Sequence, residues 1–319
     1  GGLLWLPSKN ASAEIRLREG FMIVVLFWVV LSSFGAVPFL FLPELNISFT
    51  NAIFESTSGL TTTGATILSG LDELPRSILF YRQQLQWLGG LGIVVLAVAL
   101  LPILGIGGMQ MYRAESSAIK ETKFTPRQAE TAKALGAIYL LLTLLCALCY
   151  RLAGMDGFDA VCHAFTTVAI GGFSTHDASF GFFSSYTAVY WVASVFMLLA
   201  GVNFSLHFFA WKNKSFAGYF KNSEFKTYFA LMMVAVLIVS GTLFFSASTS
   251  TAQGGATETF FQVVSIGTTT GFTTANYGAW PLILPFFLLL FSLVGGCVGS
   301  TGGGLKVVRW LVLFKEVRR

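Results

Sequence analysis

The sequence predicts an all-α integral membrane protein of repeated units, each an outer helix, a short half-helix, a turn and an inner helix around one pseudo-symmetric axis. Three observations predict it. Of 319 residues, 55% are hydrophobic and only 11% charged, whereas a soluble domain carries about 25% charged residues. Apolar stretches run over 20–42, 77–104, 134–154, 186–211, 227–247 and 281–314, each long enough for a hydrocarbon core of about 30 Å. A short turn of small residues also recurs three times: Thr61-Thr62-Thr63-Gly64, Ala169-Ile170-Gly171-Gly172 and Thr268-Thr269-Thr270-Gly271.

The first unit reads as an outer helix over 20–42 ending near Pro43, a half-helix over 51–60, a turn over 61–66 and an inner helix from Pro75 to 104. The second reads as 131–154, 158–168, 169–175 and 184–212. The third reads as 225–247, 257–267, 268–274 and 281–314. A half-helix of about 11 residues rises some 16 Å, so the chain enters the membrane and returns on the same side. As domains these units occupy 20–112, 113–212 and 213–319, after an N-terminal segment 1–19. The first apolar run lacks a small-residue cleavage pattern and reads as a retained helix.

Charge gives the orientation. All but three of the twenty Lys and Arg fall in 1–19, 113–133, 212–226 and 306–319; the exceptions are Arg76, Arg82 and Arg151. By the positive-inside rule those four segments and both ends of the sequence are cytoplasmic, and the turns face outward. Glu44, Glu55, Asp72, Glu73, Asp156, Asp159, Asp177 and Glu258 then lie on the outer side, where an acidic vestibule concentrates cations.

Irregular backbone at membrane depth survives only where it lines a polar cavity or is buried in protein. Three such turns in matched settings therefore read as the lining of one ion pore. Glycine at the end of each turn admits positive φ, which lets carbonyls face an axis. Rings of such carbonyls replace the hydration shell of potassium, and threonine hydroxyls supply further oxygens. Each half-helix directs its negative carboxyl end at the turn, which favours a cation. No carboxylate lies within the three turns.

The segments 61–66, Ile170 to Asp177 and 269–274 resemble the filter segments of the Trk/Ktr/HKT potassium transporters, closest to the bacterial uptake branch. The similarity extends to Gln86-Trp87-Leu88-Gly89-Gly90-Leu91-Gly92 and to the stretch from Gly299 to Arg309, and covers nearly the whole chain. The resemblance implies potassium uptake through four such units in one polypeptide, with Thr61, Thr62, Thr63, Gly64, Ala169, Ile170, Gly171, Gly172, Thr268, Thr269, Thr270 and Gly271 as the filter. It also implies homodimerisation, a cytosolic nucleotide-binding ring (TrkA-like) as regulator, and a bacterial inner-membrane location. Potassium is then the permeant ligand, with no covalent cofactor. A serine in place of the first filter glycine accompanies sodium permeation in the family, so Gly64 favours potassium. The family pattern has a fourth unit after the broken helix and a helix pair before the first. Neither is in this sequence, unless residues 1–19 are a remnant of that pair; it reads as part of a longer chain, the other reading being a three-unit protein that recruits the missing quarter by assembly.

Gly295, Gly296, Gly299, Ser300, Thr301, Gly302, Gly303 and Gly304 interrupt the third inner helix, a density of glycine sufficient to unwind it. The resemblance gives this loop the role of a gate; close packing at a hinge is the other reading. The run lacks the Gly-Lys-Ser/Thr ending of a phosphate loop. Cys146 and Cys149 sit in an apolar run and read as packing. His163, His176 and His207 lack metal-like spacing, with His176 and Asp177 placed at the outer mouth. Arg82 lies at the start of the first inner helix with Gln83, Gln84 and Gln86, and reads as a residue able to snorkel to the interface.

Besides the pore, an alternating-access cation carrier and a non-conducting scaffold or fragment of a longer transporter remain open. An enzyme does not, because the sequence shows no paired carboxylates, nucleophile–base set or metal cluster.

Overall fold

The computed structural model describes residues 17–100, 128–246 and 255–317, apart from Ala275 and Leu282. Most of the basic segment 1–19 and of the basic loop 113–133 lies outside the described residues, as do Arg318 and Arg319. Among the described residues there are helices and no strands.

Unit one begins with α1 (Leu17–Gly35), continued after a one-residue interruption at Ala36 by α2 (Val37–Leu40). The half-helix α3 (Phe49–Leu60) starts at Ser48, whose hydroxyl accepts the Asn51 amide at 3.2 Å, the usual N-cap arrangement. The inner helix α4 (Arg76–Leu100) follows Pro75. Unit two contains α5 (Gln128–Leu152), the half-helix α6 (Gly157–Ala169) capped by Asp156, and α7 (Thr187–Ala200). Beyond α7 come α8 (Phe204–Asn213) and the short α9 (Ala217–Lys221). Unit three has α10 (Ser223–Phe245), the half-helix α11 (Ala256–Gly267), α12 (Ile283–Ser292) and α13 (Val307–Val317).

The half-helices have 12, 13 and 12 residues, which at 1.5 Å per residue is about 18–20 Å, far short of a bilayer. Phe21–Leu40, Ala132–Leu152 and Ser223–Phe245 are long and apolar enough to span one, with mean hydropathy of 2.4, 2.1 and 2.3. Their outward faces carry Phe21, Met22, Val25, Leu144, Leu148, Leu237 and Phe244, an apolar girdle that only lipid or another apolar surface can cover.

One expected element is not continuous. The second inner helix, read over 184–212, breaks at Gly201-Val202-Asn203, and α8 leaves α7 at 94°. Asn203 caps the new helix by accepting the Ser205 amide at 2.8 Å. The break in the third inner helix falls where the glycines are, between Ser292 and Val307.

The units pack in sequence. Each half-helix lies between its own outer helix and the preceding or following inner helix, α4 packing on both α3 and α6, and α7 on both α6 and α11. The core around Tyr139, Tyr150 and Val168 of unit two therefore also contains Phe261, Val264 and Phe272 of unit three. Close approach of α4 is possible because Gly89 and Gly90 have no side chain. A Cβ on Gly89 would strike the Leu60 carbonyl oxygen at the end of α3, and one on Gly90 would come within 3.0 Å of Ala169 Cα at the end of α6.

Candidate functional site

The three half-helices end in the same way. Thr62, Ile170 and Thr269 each adopt a left-handed conformation, with φ of 55°, 55° and 69°. Each amide closes back on the helix: Thr62 N to Gly59 O at 3.0 Å, Ile170 N to Thr167 O at 3.1 Å, Thr269 N to Ile266 O at 3.0 Å. The following amide reaches one residue further: Thr63 N to Ser58 O at 2.9 Å, Gly171 N to Thr166 O at 2.8 Å, Thr270 N to Ser265 O at 2.8 Å. This paired closure is the Schellman motif. Glycine normally takes the left-handed position in it; here β-branched residues hold it three times, at a cost of about 1–3 kcal/mol each. Strain repeated at equivalent positions marks a geometry that the surrounding structure constrains.

Two residues later the backbone turns left-handed again, at Gly64 (φ 76°), Gly172 (φ 83°) and Gly271 (φ 87°). The glycines interlock the turns. A Cβ on Gly64 would land on the Gly171 carbonyl oxygen, and one on Gly172 on the Thr270 carbonyl oxygen. Gly271 has nothing within 4 Å in that direction. Turn one thus abuts turn two, and turn two abuts turn three.

Hydroxyls brace two of the turns internally. The Thr61 and Thr63 hydroxyls lie 2.8 Å apart, and those of Thr268 and Thr270 2.7 Å apart; Thr61 and Thr268 also donate back to Thr57 O and Val264 O. Turn two, built from Ala169, Ile170, Gly171 and Gly172, has no hydroxyl and is braced from α4 instead. Gln86 Nε2 donates to Gly171 O at 2.6 Å, and Gln86 Oε1 accepts the Phe173 amide at 3.1 Å.

A second set of equivalent residues supports the chain leaving each turn. Nine residues before the turn glycines stand Glu55, His163 and Gln262. Glu55 accepts the Thr66 hydroxyl at 2.9 Å and the Ile67 amide at 3.1 Å. His163 pairs with the Ser174 hydroxyl at 3.0 Å, and Gln262 Oε1 accepts the Thr274 amide at 3.3 Å. Since His163 Nδ1 faces the Asp159 carbonyl at 2.9 Å, an acceptor only, that nitrogen carries the proton and Nε2 accepts. The shared offset from the glycines is the signal in the sequence that identifies this set.

Arg82 does not snorkel. It is completely buried beside the equally buried Glu55, with Nε to Oε1 at 2.8 Å. It also donates to Ser174 O at 3.2 Å and the Thr66 hydroxyl at 3.0 Å, and lies 4.4 Å over the Phe173 ring. A charge this deep is tolerated because each of the three guanidinium nitrogens donates to an oxygen and the group lies over a π face. Glu55 is consequently a neutralised wall residue and adds nothing to an acidic vestibule. Glu258, by contrast, is partly exposed at the start of α11.

Beyond the turns, on the side away from the glycine-rich segment, His176 joins two units. Its ring hydrogen-bonds to Asp72 of unit one and Asp159 of α6, and stacks on Phe182 at 3.5 Å. Burial opposes its charge, but the hydrogen bonds and charges of Asp159 and Asp72 prevail, so its pKa is raised above the ordinary histidine value. Asp177 accepts the Leu71 amide at 2.8 Å, a second tie between the same loops. Asp177, Gly181, Thr273, Thr274 and Tyr277 border a cavity of about 610 Å³ that opens beside turn three.

The glycine-rich segment lies against the opposite side of the turns. Gly303 N donates to the Thr269 hydroxyl at 2.8 Å, and the Thr301 hydroxyl donates to Val168 O at 2.9 Å. Thr61, Thr62, Thr63, Ile93, Thr269, Thr301, Gly302 and Gly303 together enclose a cavity of about 260 Å³. Gly295, Gly299 and Gly304 have φ of 70°, 72° and 75°; Gly296 and Ser300 complete the coil, with the Ser300 hydroxyl on Cys297 O at 2.6 Å. Among the described residues no His/Cys/Asp/Glu group has the arrangement of a metal site.

Interlocked turns on a repeated frame of helices, three of them long and apolar enough to span a bilayer, with an unwound inner helix beside them, mark a protein of the integral membrane class. Comparison with known proteins agrees: the family model described as TrkH, cation transport protein, matches residues 1–319. The chain belongs to the TrkH family of cation transport proteins. It is 54% identical over 320 residues to the Trk system potassium uptake protein TrkH of Escherichia coli K12, covering 100% of this chain and 66% of that one. It is 43% identical over 317 residues to TrkG of the same organism, covering 99% and 65%. The crystal structure of the potassium transporter TrkH from Vibrio parahaemolyticus superposes with a TM-score of 0.89 at 49% identity, covering 100% of this chain and 66% of that one. The chain thus spans just under two thirds of the length of the relatives it matches.

Proposed function

We propose that the turns Thr61–Gly64, Ala169–Gly172 and Thr268–Gly271 line a potassium-selective path, and that the segment Gly295–Gly304 closes it from the cytosolic side. The observation that carries this reading is the interlock of equivalent turns, each left-handed at the same two positions, with Gly64 against the carbonyl of turn two and Gly172 against the carbonyl of turn three. Alternating left-handed residues turn successive peptide groups toward the same side, the arrangement in which backbone oxygens replace water around a dehydrated cation. The negative ends of α3, α6 and α11 reinforce it. Potassium as the ion is supported by the names of the relatives, each a potassium uptake protein.

In this reading ions move downhill through units 20–112, 113–212 and 213–319 in a bacterial inner membrane, with the basic loops cytosolic. Family membership further supports assembly as a homodimer and regulation by a cytosolic nucleotide-binding ring. The test is rubidium and sodium flux into liposomes. Gly64→Ser adds a side chain where Gly171 O already stands, at a left-handed φ of 76°. Preference for potassium over sodium is expected to fall roughly tenfold, the effect of about 1.4 kcal/mol of differential binding. Unchanged preference would remove Gly64 from the path.

A further inference from the structure

A helix that breaks inside a membrane strands carbonyls on one side and amides on the other, and each needs a partner. The break between α7 and α8 finds its partners in the glycine-rich loop of the next unit. Cys297 N donates to Gly201 O at 2.8 Å, Thr301 N to Ala200 O at 3.4 Å, and Phe204 N to Gly299 O at 3.0 Å. The Thr301 hydroxyl, which donates to Val168 O at 2.9 Å, also faces Ala200 O at 3.3 Å and shares its one proton between them. Side chains on the loop would be in the way: a Cβ on Gly296 would lie 3.0 Å from Gly201 O, and one on Gly299 3.1 Å from Asn203 Oδ1.

The outer helix α10 closes this joint from a third side. Glu224 Oε1 accepts the Val298 amide at 2.7 Å. One helical turn later, the Tyr228 hydroxyl donates to Leu198 O at 3.2 Å and fills the space that a side chain at Gly201 would need. Residues four apart share a helix face, so one face of α10 holds both the broken helix and the loop. Both side chains are buried.

We propose that this joint latches the loop in the closed position. Glu224 is the positioning residue that fixes it, and α8 is the element that moves with it. The inference rests on the reading that the loop closes the path. Were the loop to leave alone, the Ala200 and Gly201 carbonyls and the Phe204 amide would lose their partners in a water-poor interior. Displacement of the loop together with the end of α7 and with α8 keeps those bonds; it breaks the grip of α10 and the loop's bonds to the Thr269 hydroxyl and Val168 O. The right-angle departure of α8, ending in exposed Trp211 and Lys212, makes it the handle available from the cytosolic side.

Two measurements on the intact reconstituted protein test this: rubidium flux, and modification of buried Cys297 by a water-soluble methanethiosulfonate after Cys146, Cys149 and Cys162 are replaced by alanine. Glu224→Ala is expected to raise both basal flux and the rate of Cys297 modification roughly tenfold, as loss of one charge-assisted hydrogen bond shifts the closed–open balance. Ion preference is expected to stay as it was. Glu224→Gln retains an acceptor for Val298 N and is expected to remain within about twofold of the parent. A merely structural role predicts the opposite, a loss of flux and no rescue by glutamine. Should Glu224→Ala not assemble, Tyr228→Phe removes the second grip with little change of volume, and the same rise is expected. Unaltered flux and labelling in the grip variants, alongside raised flux on deletion of 296–303, would overturn the latch and leave the closure reading intact. Unaltered flux on that deletion would overturn both.

Discussion

Residues that hold the turns are polar, buried and drawn from different parts of the chain, so their energetics are those of pairs. Arg82 and Glu55 are the sharpest case. Removing one partner leaves an uncompensated buried charge, whereas removing both leaves a cavity and a few unpaired neighbours. Glu55→Gln or Arg82→Met alone is expected to cost about 3–5 kcal/mol of stability. The double variant is expected to cost clearly less than the two singles together. Thermal denaturation of the purified protein across the four variants checks this, and strict additivity would show that the pair is not coupled. The sequence shows Arg82 as an ionisable residue inside an apolar run. It does not show where the charge goes, because its partners stand 27 residues before it and 92 after it and meet it only when two units close on each other.

Elements are positioned by what is missing from them. The inner helix α4 touches the ends of two half-helices because Gly89 and Gly90 let its backbone through. Gly89→Ala is expected to push α4 off α3, with an overpacking cost of about 1–3 kcal/mol, and to lower both yield and thermal midpoint. Gly218→Ala, in the exposed α9 with nothing within 4 Å, serves as the control and is expected to change neither. The half-helices, the turns and the break in the third inner helix are legible in the sequence, since length, turn composition and glycine density are local signals. The break in the second inner helix is not. Gly201-Val202-Asn203 is a weak interruption in an apolar stretch, and it becomes a right-angle bend only because the loop of unit three supplies hydrogen-bond partners 95 or more residues away. Ile170 in a left-handed conformation is equally invisible locally, since β-branched residues disfavour it; only its register with Thr62 and Thr269 explains it.

At the scale of the whole molecule, the three units face the same way, and each contributes a half-helix and a turn that return to the side they came from. The loops after the turns then lie on one side of the membrane, and α8–α9, with Lys212, Lys214 and Lys221, on the other. Single cysteines at Ser185 and at Lys214, both exposed positions, are expected to label with membrane-impermeant thiol reagents from the outer and cytosolic faces respectively in cells and inverted vesicles. Labelling of both from one face would break the proposed orientation. Charge asymmetry is the sequence signal on which the proposed orientation rests, while the order of the units emerges only from the contacts of each inner helix with the next half-helix.

The buried arginine also bears on how the chain is made. A lone arginine in a helix passing through the translocon is penalised by about 2.5–3.5 kcal/mol. Glu55 is translated before Arg82, so the counter-charge is waiting when α4 arrives, but Phe173 and Ser174 are not yet synthesised. Insertion of the first unit therefore relies on that ion pair and the Thr66 hydroxyl, and its definitive lodging awaits the emergence of the second. Biogenesis of the first two units is on this ground a single cooperative event, drawn out over the time a ribosome takes to translate from one to the other.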